Sequence, residues 1–459
     1  MVKKERNIIQ FEDIMYKLLY LFIFLLLFNA CSKEETSNPV NAGNINSCVG
    51  CHTNYDALKK LADPDTSAPA GGCSGEGVHI EPYDRVYLGG QGFEDFQKEA
   101  HGKMACTACH NGIDKTGDKK LAHSGNFIKH PSKFATEKCV TCHEDEVRRT
   151  HNSIHEMGWG QKRKVTMRYG LAGPHEFNKL PENVQKGYNA NCATCHGSCG
   201  ECHVSKPLAA GGGLMNGHKF SKKPDMVKVC VACHSSRGGH AYLGVAVGSK
   251  PDVHLTKLGF DCMSCHTKNE IHGDGNTYEQ RYKVPDMPKC EDCHSNIKNS
   301  NSYHSMHAEN LSCFVCHSQP YNNCGSCHIH GEGARIASYQ GFKIGVNPLS
   351  EFKGTRLALV RRTLMAPDSW KEYGVTKLNN FDVFPVFNYT SPHNILRKTK
   401  QCSPDEGKAC YYNCHIIKEG EIFRNKELYL FESDFIYDWE KSSSKKVTVD
   451  GKLPPNWGL

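Results

Sequence analysis

Ten copies of Cys-x-x-Cys-His in one chain of 459 residues restrict its fold more than any other feature. In chain order they are Cys48, Cys51 and His52; Cys106, Cys109 and His110; Cys139, Cys142 and His143; Cys192, Cys195 and His196; and Cys199, Cys202 and His203. The second five are Cys230, Cys233 and His234; Cys262, Cys265 and His266; Cys290, Cys293 and His294; Cys313, Cys316 and His317; and Cys324, Cys327 and His328. An eleventh, Cys410-Tyr-Tyr-Asn-Cys414-His415, has one extra residue between its cysteines. Only Cys31, Cys73 and Cys402 of the 25 cysteines fall outside these motifs. Shuffling the composition would give roughly a tenth of one match.

Each position of the motif has a chemical job: two thiols add to the two vinyl groups of a haem, and the next His turns its imidazole onto the iron. Zinc ribbons need Cys-x-x-Cys pairs in twos but place no demand on a His after every second Cys. A disulfide framework would not impose the trailing His and would favour an even cysteine count. The cofactor expected is therefore haem c, at ten sites with ordinary spacing and at an eleventh through Cys410 and Cys414. The competing arrangement for the eleventh is a Cys402–Cys410 disulfide, although Cys73 is a second partner for Cys402. A mean hydropathy of −0.56, with 42 Gly and 20 Pro, leaves few stretches for a conventional bundle or broad sheet, so cofactors are expected to fill the interior.

Besides the eleven motif histidines there are 15 others among the 26, enough to give every iron a second axial imidazole. His101, His130, His254 and His307 stand a short distance before a motif and are the first candidates. His155, His175, His218, His240, His272, His304, His330 and His393 follow. Two imidazoles per iron make a low-spin, low-potential centre, whereas Met would raise the potential, and the chain has 11 Met. Spacing does not pair a given histidine with a given motif.

Residues 1–30 contain an apolar run from Leu18 to Phe28 that ends at Asn29-Ala30-Cys31, the pattern of a lipoprotein signal peptide with Cys31 as the lipidated residue. Residues 31–47 read as a polar tether and 48–328 as a ten-haem region. Residues 329–409 form a haem-free insert or cap, whose KIGVNP, RLALVRRTLMAP and FDVFPVFNYTSPHNI segments alternate like short strands. Residues 410–459 hold the eleventh motif and a tail after His415, including ELYLFESDFIYDW, that is expected to form a strand pair.

The formal charge of +7 invites a nucleic-acid reading, but haem propionates reverse it. With the leader removed and eleven haems attached, the net charge falls to about −5 oxidised and about −16 reduced. Lys and Arg are then engaged by propionates, and nucleic acid is not an expected partner.

From Cys48 to His415 the chain resembles the extracytoplasmic multihaem cytochromes c of bacteria that respire metals, minerals or other external acceptors. The resemblance implies an irregular fold, mainly coil with short α-helices wrapped around a chain of c-type haems, with minor β structure in residues 329–459. It implies electron conduction between cell-envelope donors and an external or periplasmic acceptor, redox partner proteins of the envelope, and an exported outer-membrane lipoprotein held by Cys31. The alternative is a multihaem reductase of nitrite, hydroxylamine or a sulfur oxyanion, which needs one iron with an exchangeable site. No motif ends in Lys instead of His, the mark of one class of haem nitrite reductase.

Overall fold

The computed structural model describes residues 45–65, 80–207, 210–245, 249–320, 331, 342–363, 365–403 and 409–459. The leader with Cys31, as well as Cys73 and His330, lies outside the described residues. So does the whole tenth motif: Cys324, Cys327 and His328, expected as two haem attachments and an axial ligand, are outside the described residues and have no structural counterpart below.

Short helices and turns dominate, at 46% helical and 7% strand. The motifs themselves explain much of this. Cys48–His52, Cys106–His110, Cys199–His203 and Cys313–His317 are each one five-residue helical turn. One turn carries both cysteines to the same side, because residues three apart on a helix are neighbours. Ala193–Cys195, Cys262–Ser264 and Cys290–Asp292 do the same with a tighter 3₁₀ turn. Even the longest helix among the described residues, the 12-residue Val140–His151, breaks from helical geometry at the motif residue His143.

The chain departs from the expectation of an interior filled only by cofactors, because residues from 159 onward build a conventional core. Helix α1 spans Trp159–Thr166 and α2 spans Glu182–Asn191. In α2, Val184, Gly187 and Tyr188 are buried, a three-and-four spacing that lays one face against Trp370. A three-stranded antiparallel sheet runs in the order β1 (Lys343–Val346), β2 (Leu357–Arg362), β3 (Phe387–Tyr389). Its register pairs Ile344 with Leu359 and Arg361 with Asn388. Strand alternation sends Leu357 and Leu359 into one cluster with Val315, Ile344, Tyr429 and Val449. Val360 enters the other, with Trp370, Leu378, Phe381 and Leu430. These clusters were obscured in sequence because each gathers short apolar pieces far apart along the chain.

The tail after His415 forms a strand pair, as expected, but ELYLFESDFIYDW is not part of it. The hairpin falls earlier, between β4 (Ile417–Glu419) and β5 (Ile422–Arg424), where Gly420 supplies a positive φ of 64° at the turn. Further on, Asp434 accepts from the Phe431 amide at 2.9 Å and Glu440 from the Tyr437 amide at 3.1 Å. These carboxylate caps turn the backbone into short helices, including α3 (Asp438–Ser444), instead of a second hairpin. From α3, Glu440 pairs with Arg362 of β2, both nearly inaccessible to solvent. Among the described residues no helix is long and apolar enough to cross a membrane.

Candidate haem-binding site

Nine of the motif histidines face a second histidine from outside the motifs. The ring-centre distances are 6.2 Å for His52–His123, 5.9 Å for His143–His101, 6.0 Å for His110–His218 and 6.1 Å for His203–His272. They are 6.2 Å for His234–His155, 6.2 Å for His266–His393 and 6.3 Å for His294–His254. His317–His304 and His415–His307 are both 6.1 Å apart. Each pair takes one motif and one other histidine, and none is used twice.

That spacing can be tested against the expected cofactor. A metal–imidazole bond of about 2.0–2.1 Å, plus about 1.2 Å from nitrogen to ring centre, puts two imidazoles on opposite sides of one metal about 6.4 Å apart. All nine pairs fall within about half an ångström of this value. Ordinary aromatic contacts also reach such distances, but they favour particular ring angles. Here the angles run from 16° to 85°, as rotation about a shared metal axis permits.

The other ring nitrogen is held in the manner of a metal ligand. The Nδ1 atoms of His52, His110, His203 and His317 lie 3.1, 2.9, 2.6 and 3.0 Å from the carbonyls of Val86, Ile128, Ser221 and Leu396. His123 and His307 reach their own helical carbonyls at 2.9 Å. His254 and His266 reach the carboxylates of Asp252 and Glu270. An Nδ1–H donated in this way fixes the tautomer that leaves Nε2 free for a metal. Burial, then neighbouring imidazoles, pushes His155, His218 and His393 down to about 4, so these rings are neutral, the form that binds metal.

Long-range contacts deliver the partner rings. His393 follows β3, where Asn394 Nδ2 donates to Gln319 O at 2.7 Å and the Ile395 amide donates to Asp252 at 2.7 Å. The insert thereby delivers an imidazole to His266, 127 positions earlier in the chain. His155 meets His234 while its Nδ1 lies 3.4 Å from the Ile271 carbonyl.

The motifs also adjoin one another. Cysteines of different motifs are near neighbours in the pairs Cys48–Cys106, Cys109–Cys139, Cys139–Cys199 and Cys202–Cys230. The series continues through Cys230–Cys262, Cys265–Cys293 and Cys290–Cys313. Cys316 and Cys414 both flank Tyr429. The spatial order is therefore motif one, two, three, five, six, seven, eight, nine, eleven. Motif four adjoins motif six through Cys195 and Cys233 and motif five through Gly197, where an added side-chain carbon would meet Cys202 Sγ at 3.8 Å.

Cys142 is exposed, whereas its companion Cys139 is partly covered. The Cys142 amide donates back to the Cys139 carbonyl at 3.2 Å, and the helix breaks at His143. Cys195, Cys265, Cys290 and Cys293 are exposed as well, and the last two belong to a motif on a short, solvent-facing 3₁₀ turn.

A continuous cavity of about 2640 Å³ runs beside motifs four to nine and eleven, bounded by His155, His234, His266, His294, His317 and His415 among others. Ligand pockets are commonly about 300–1,000 Å³, and packed interiors hold few voids larger than a water, so this space matches several large planar groups. Arg281 lines it. Lys164 is pushed down to about 8, by burial first and then by Arg168, Arg281 and Arg361, a crowd of cations that a propionate carboxylate would relieve. Among the described residues no three His, Cys, Asp or Glu side chains gather as a metal cluster, so the imidazoles come in twos.

Of the histidines selected from sequence, His101, His155, His218, His254, His272, His304, His307 and His393 each meet a motif ring. His130, His175 and His240 are not brought against one. His307 faces His415, not the motif it immediately precedes. His123, opposite His52, was missed, and nothing in its spacing from either neighbouring motif signals it. The Cys402 sulfur accepts from the Thr399 amide at 3.2 Å, and its two candidate disulfide partners, Cys73 and the Cys410 side chain, lie outside the described residues.

His196 is the exception. Its Nε2, the nitrogen that other motif histidines leave free, lies 2.9 Å from the Tyr188 hydroxyl and 3.1 Å from Gln161 Oε1. A metal at His196 requires those bonds to open. Family models, curated proteins and solved structures were compared with this chain, and none matches.

Proposed function

We propose that the chain is a multihaem c-type cytochrome conducting electrons between cell-envelope donors and an external or periplasmic acceptor. The observation that carries this reading is the set of nine histidine pairs, each joining a Cys-x-x-Cys-His or Cys-x₃-Cys-His imidazole to one from elsewhere in the chain at 5.9–6.3 Å. In the proposal, the cysteines attach haem c, the motif histidines supply one axial ligand, and the paired histidines supply the other. Haem contributes the one-electron iron couple, and the protein sets its potential through axial ligands, hydrogen bonds and burial.

The chain's own residues then have defined work. Asp252 and Glu270 orient His254 and His266, and the carbonyls of Val86, Ile128, Ser221 and Leu396 orient four motif rings. The order of neighbouring motifs supports a conducting series from the N-terminal motif to His415. The tenth haem is assigned to Cys324, Cys327 and His328 on their spacing alone. Export as a lipoprotein anchored at Cys31 completes the proposal. Pyridine haemochrome quantitation of protein matured in a cytochrome c-assembling host should give ten or eleven haems per chain, and fewer than eight would overturn the reading. A reductase of nitrite, hydroxylamine or a sulfur oxyanion is the alternative reading, and a high-spin signal in the oxidised protein, or its absence, separates the two.

A further inference from the structure

The second nitrogen of the paired imidazoles sets motifs seven and eight apart from their neighbours. Among the described residues, only His254 and His266 of the nine pairs turn Nδ1 to a carboxylate. The other paired rings with a bonded Nδ1 reach carbonyls or, at His304, the Ser300 hydroxyl at 2.6 Å. Asp252 stands just before the helix Val253–Leu258, and its Oδ1 accepts from the His254 amide and from His254 Nδ1, both at 2.8 Å. Its Oδ2 accepts at 2.7 Å from the amide of Ile395, which follows His393 by two positions. One carboxylate thus bonds the partner ring of motif eight and the backbone that carries the partner ring of motif seven. Glu270, in the helical turn Lys268–His272, places its two oxygens 3.0 and 2.9 Å from His266 Nδ1.

The charge balance around these two carboxylates is unusual. Asp252 is 2% exposed and the Glu270 side chain 11%. Among the described residues neither is paired with a lysine or arginine, whereas neighbouring Asp261 pairs with Lys223. Burying a charge is costly unless it is compensated. Here the acidic groups bond imidazoles, and an iron held by two imidazoles in haem carries about one net positive charge when ferric and none when ferrous. A carboxylate that accepts from a ligand's Nδ1–H also raises the basicity of that imidazole. Both effects favour the oxidised iron. They are missing on either side, because His234 and His155 of motif six bond no carboxylate among the described residues, and His317 and His304 of motif nine bond a carbonyl and a hydroxyl. Arg281 lies near both His234 and His393, so its opposite pull is shared by motifs six and seven and leaves their difference in place.

We propose that Asp252 and Glu270 are positioning residues that hold the irons of motifs seven and eight at lower potential than those of motifs six and nine. The proposal rests on the multihaem reading and deepens it. An electron moving along the series in either direction climbs onto this adjacent pair before it descends, and the two carboxylates set the height of that step.

The test is a potentiometric titration of the full-length holoprotein, followed by electron paramagnetic resonance of the low-spin ferric signals. Glu270→Gln keeps the size of the side chain and one acceptor oxygen while removing the charge. It should move one one-electron component at the negative end of the envelope to more positive potential, with haem count and low-spin state unchanged. Asp252→Asn should move a second such component, and the double variant should narrow the envelope from its negative end. If Asp252→Asn fails to fold, Glu270→Gln decides alone. Unmoved potentials overturn the proposal, as does a shift confined to the positive end of the envelope. A high-spin signal in place of a low-spin one also overturns it, because the carboxylate would then only hold the ring in place. A chain that carries no haem defeats the multihaem reading itself, a distinguishable result.

Discussion

Replacing His123 by Ala separates the geometric pairing from sequence proximity. Both His123 and His130 precede Cys139, and proximity to that motif favours His130. In the structure His123 stands 6.2 Å from His52, with its Nδ1 turned to the Lys119 carbonyl at 2.9 Å. His130 meets no motif ring among the described residues. Thioether attachment and axial ligation are separate bonds, so His123→Ala should leave the haem count unchanged while one iron loses its second imidazole. One haem in eleven is about 9% of the total iron, and this fraction should move from low to high spin in the oxidised protein. Millimolar imidazole should reverse the change by occupying the position. His130→Ala should produce none of it. Both side chains are exposed, so each substitution should alter folding stability by no more than about 0.5 kcal/mol apart from its effect on ligation. The assay is electron paramagnetic resonance beside pyridine haemochrome counting. A high-spin signal from His130→Ala, with none from His123→Ala, would refute the assignment of ligands by ring geometry.

Two structural predictions test the core that supports the candidate site. Gly187→Ala would ordinarily stabilise a helix by about 1 kcal/mol, but its new methyl would stand 2.7 Å from Trp370 Cδ2, and overpacking costs about 1–3 kcal/mol. The expected outcome is a lower Tm, with the haem count retained. Arg362→Met should destabilise by about 3–5 kcal/mol in chemical denaturation, because it leaves Glu440 charged and buried, and adding Glu440→Gln should recover part of the loss. No change in the denaturation midpoint for Arg362→Met would show that this ion pair does not hold α3 to the sheet.

Legibility varied with how local the determining chemistry is. The motif turns were readable because Cys, Cys and His act within one helical turn, and the strands of the insert were readable because LALVRR and its neighbours alternate over a few residues. The tail's strand pair was legible but its place was not: ELYLFESDFIYDW turns helical where Asp434 and Glu440 cap backbone amides, since a carboxylate three residues after a strand-like Phe or Tyr competes with an alternating apolar pattern. Histidine pairing was not legible. His155 reaches His234 through the backbone of Ile271, and His393 reaches His266 through Gln319 and Asp252, contacts that close loops of about a hundred residues. His307 lies six residues before Cys313, yet it faces His415. Its local spacing was informative about being a ligand candidate and uninformative about the motif served.

This division of labour explains why a chain of low mean hydropathy can hold so many imidazoles at one spacing. Rings on short turns have little intrinsic rigidity, and a single turn of helix is unstable alone. The apolar clusters around Trp370 and Leu359 provide the fixed reference, and β2 contributes to both because its alternate side chains enter opposite clusters. From that reference, β3 and the following Asn394 and Ile395 contacts fix His393, while α2 leads directly into Cys192. Motif four is consequently the motif most tightly coupled to the hydrophobic core around Trp370: Cys192 and Ala193 pack against it, and Tyr188 links the core to His196. A ring held by the core and by two polar side chains has a different constraint from the nine rings that face each partner histidine across a gap. That difference sets motif four apart from the nine motifs whose histidines each face a partner ring.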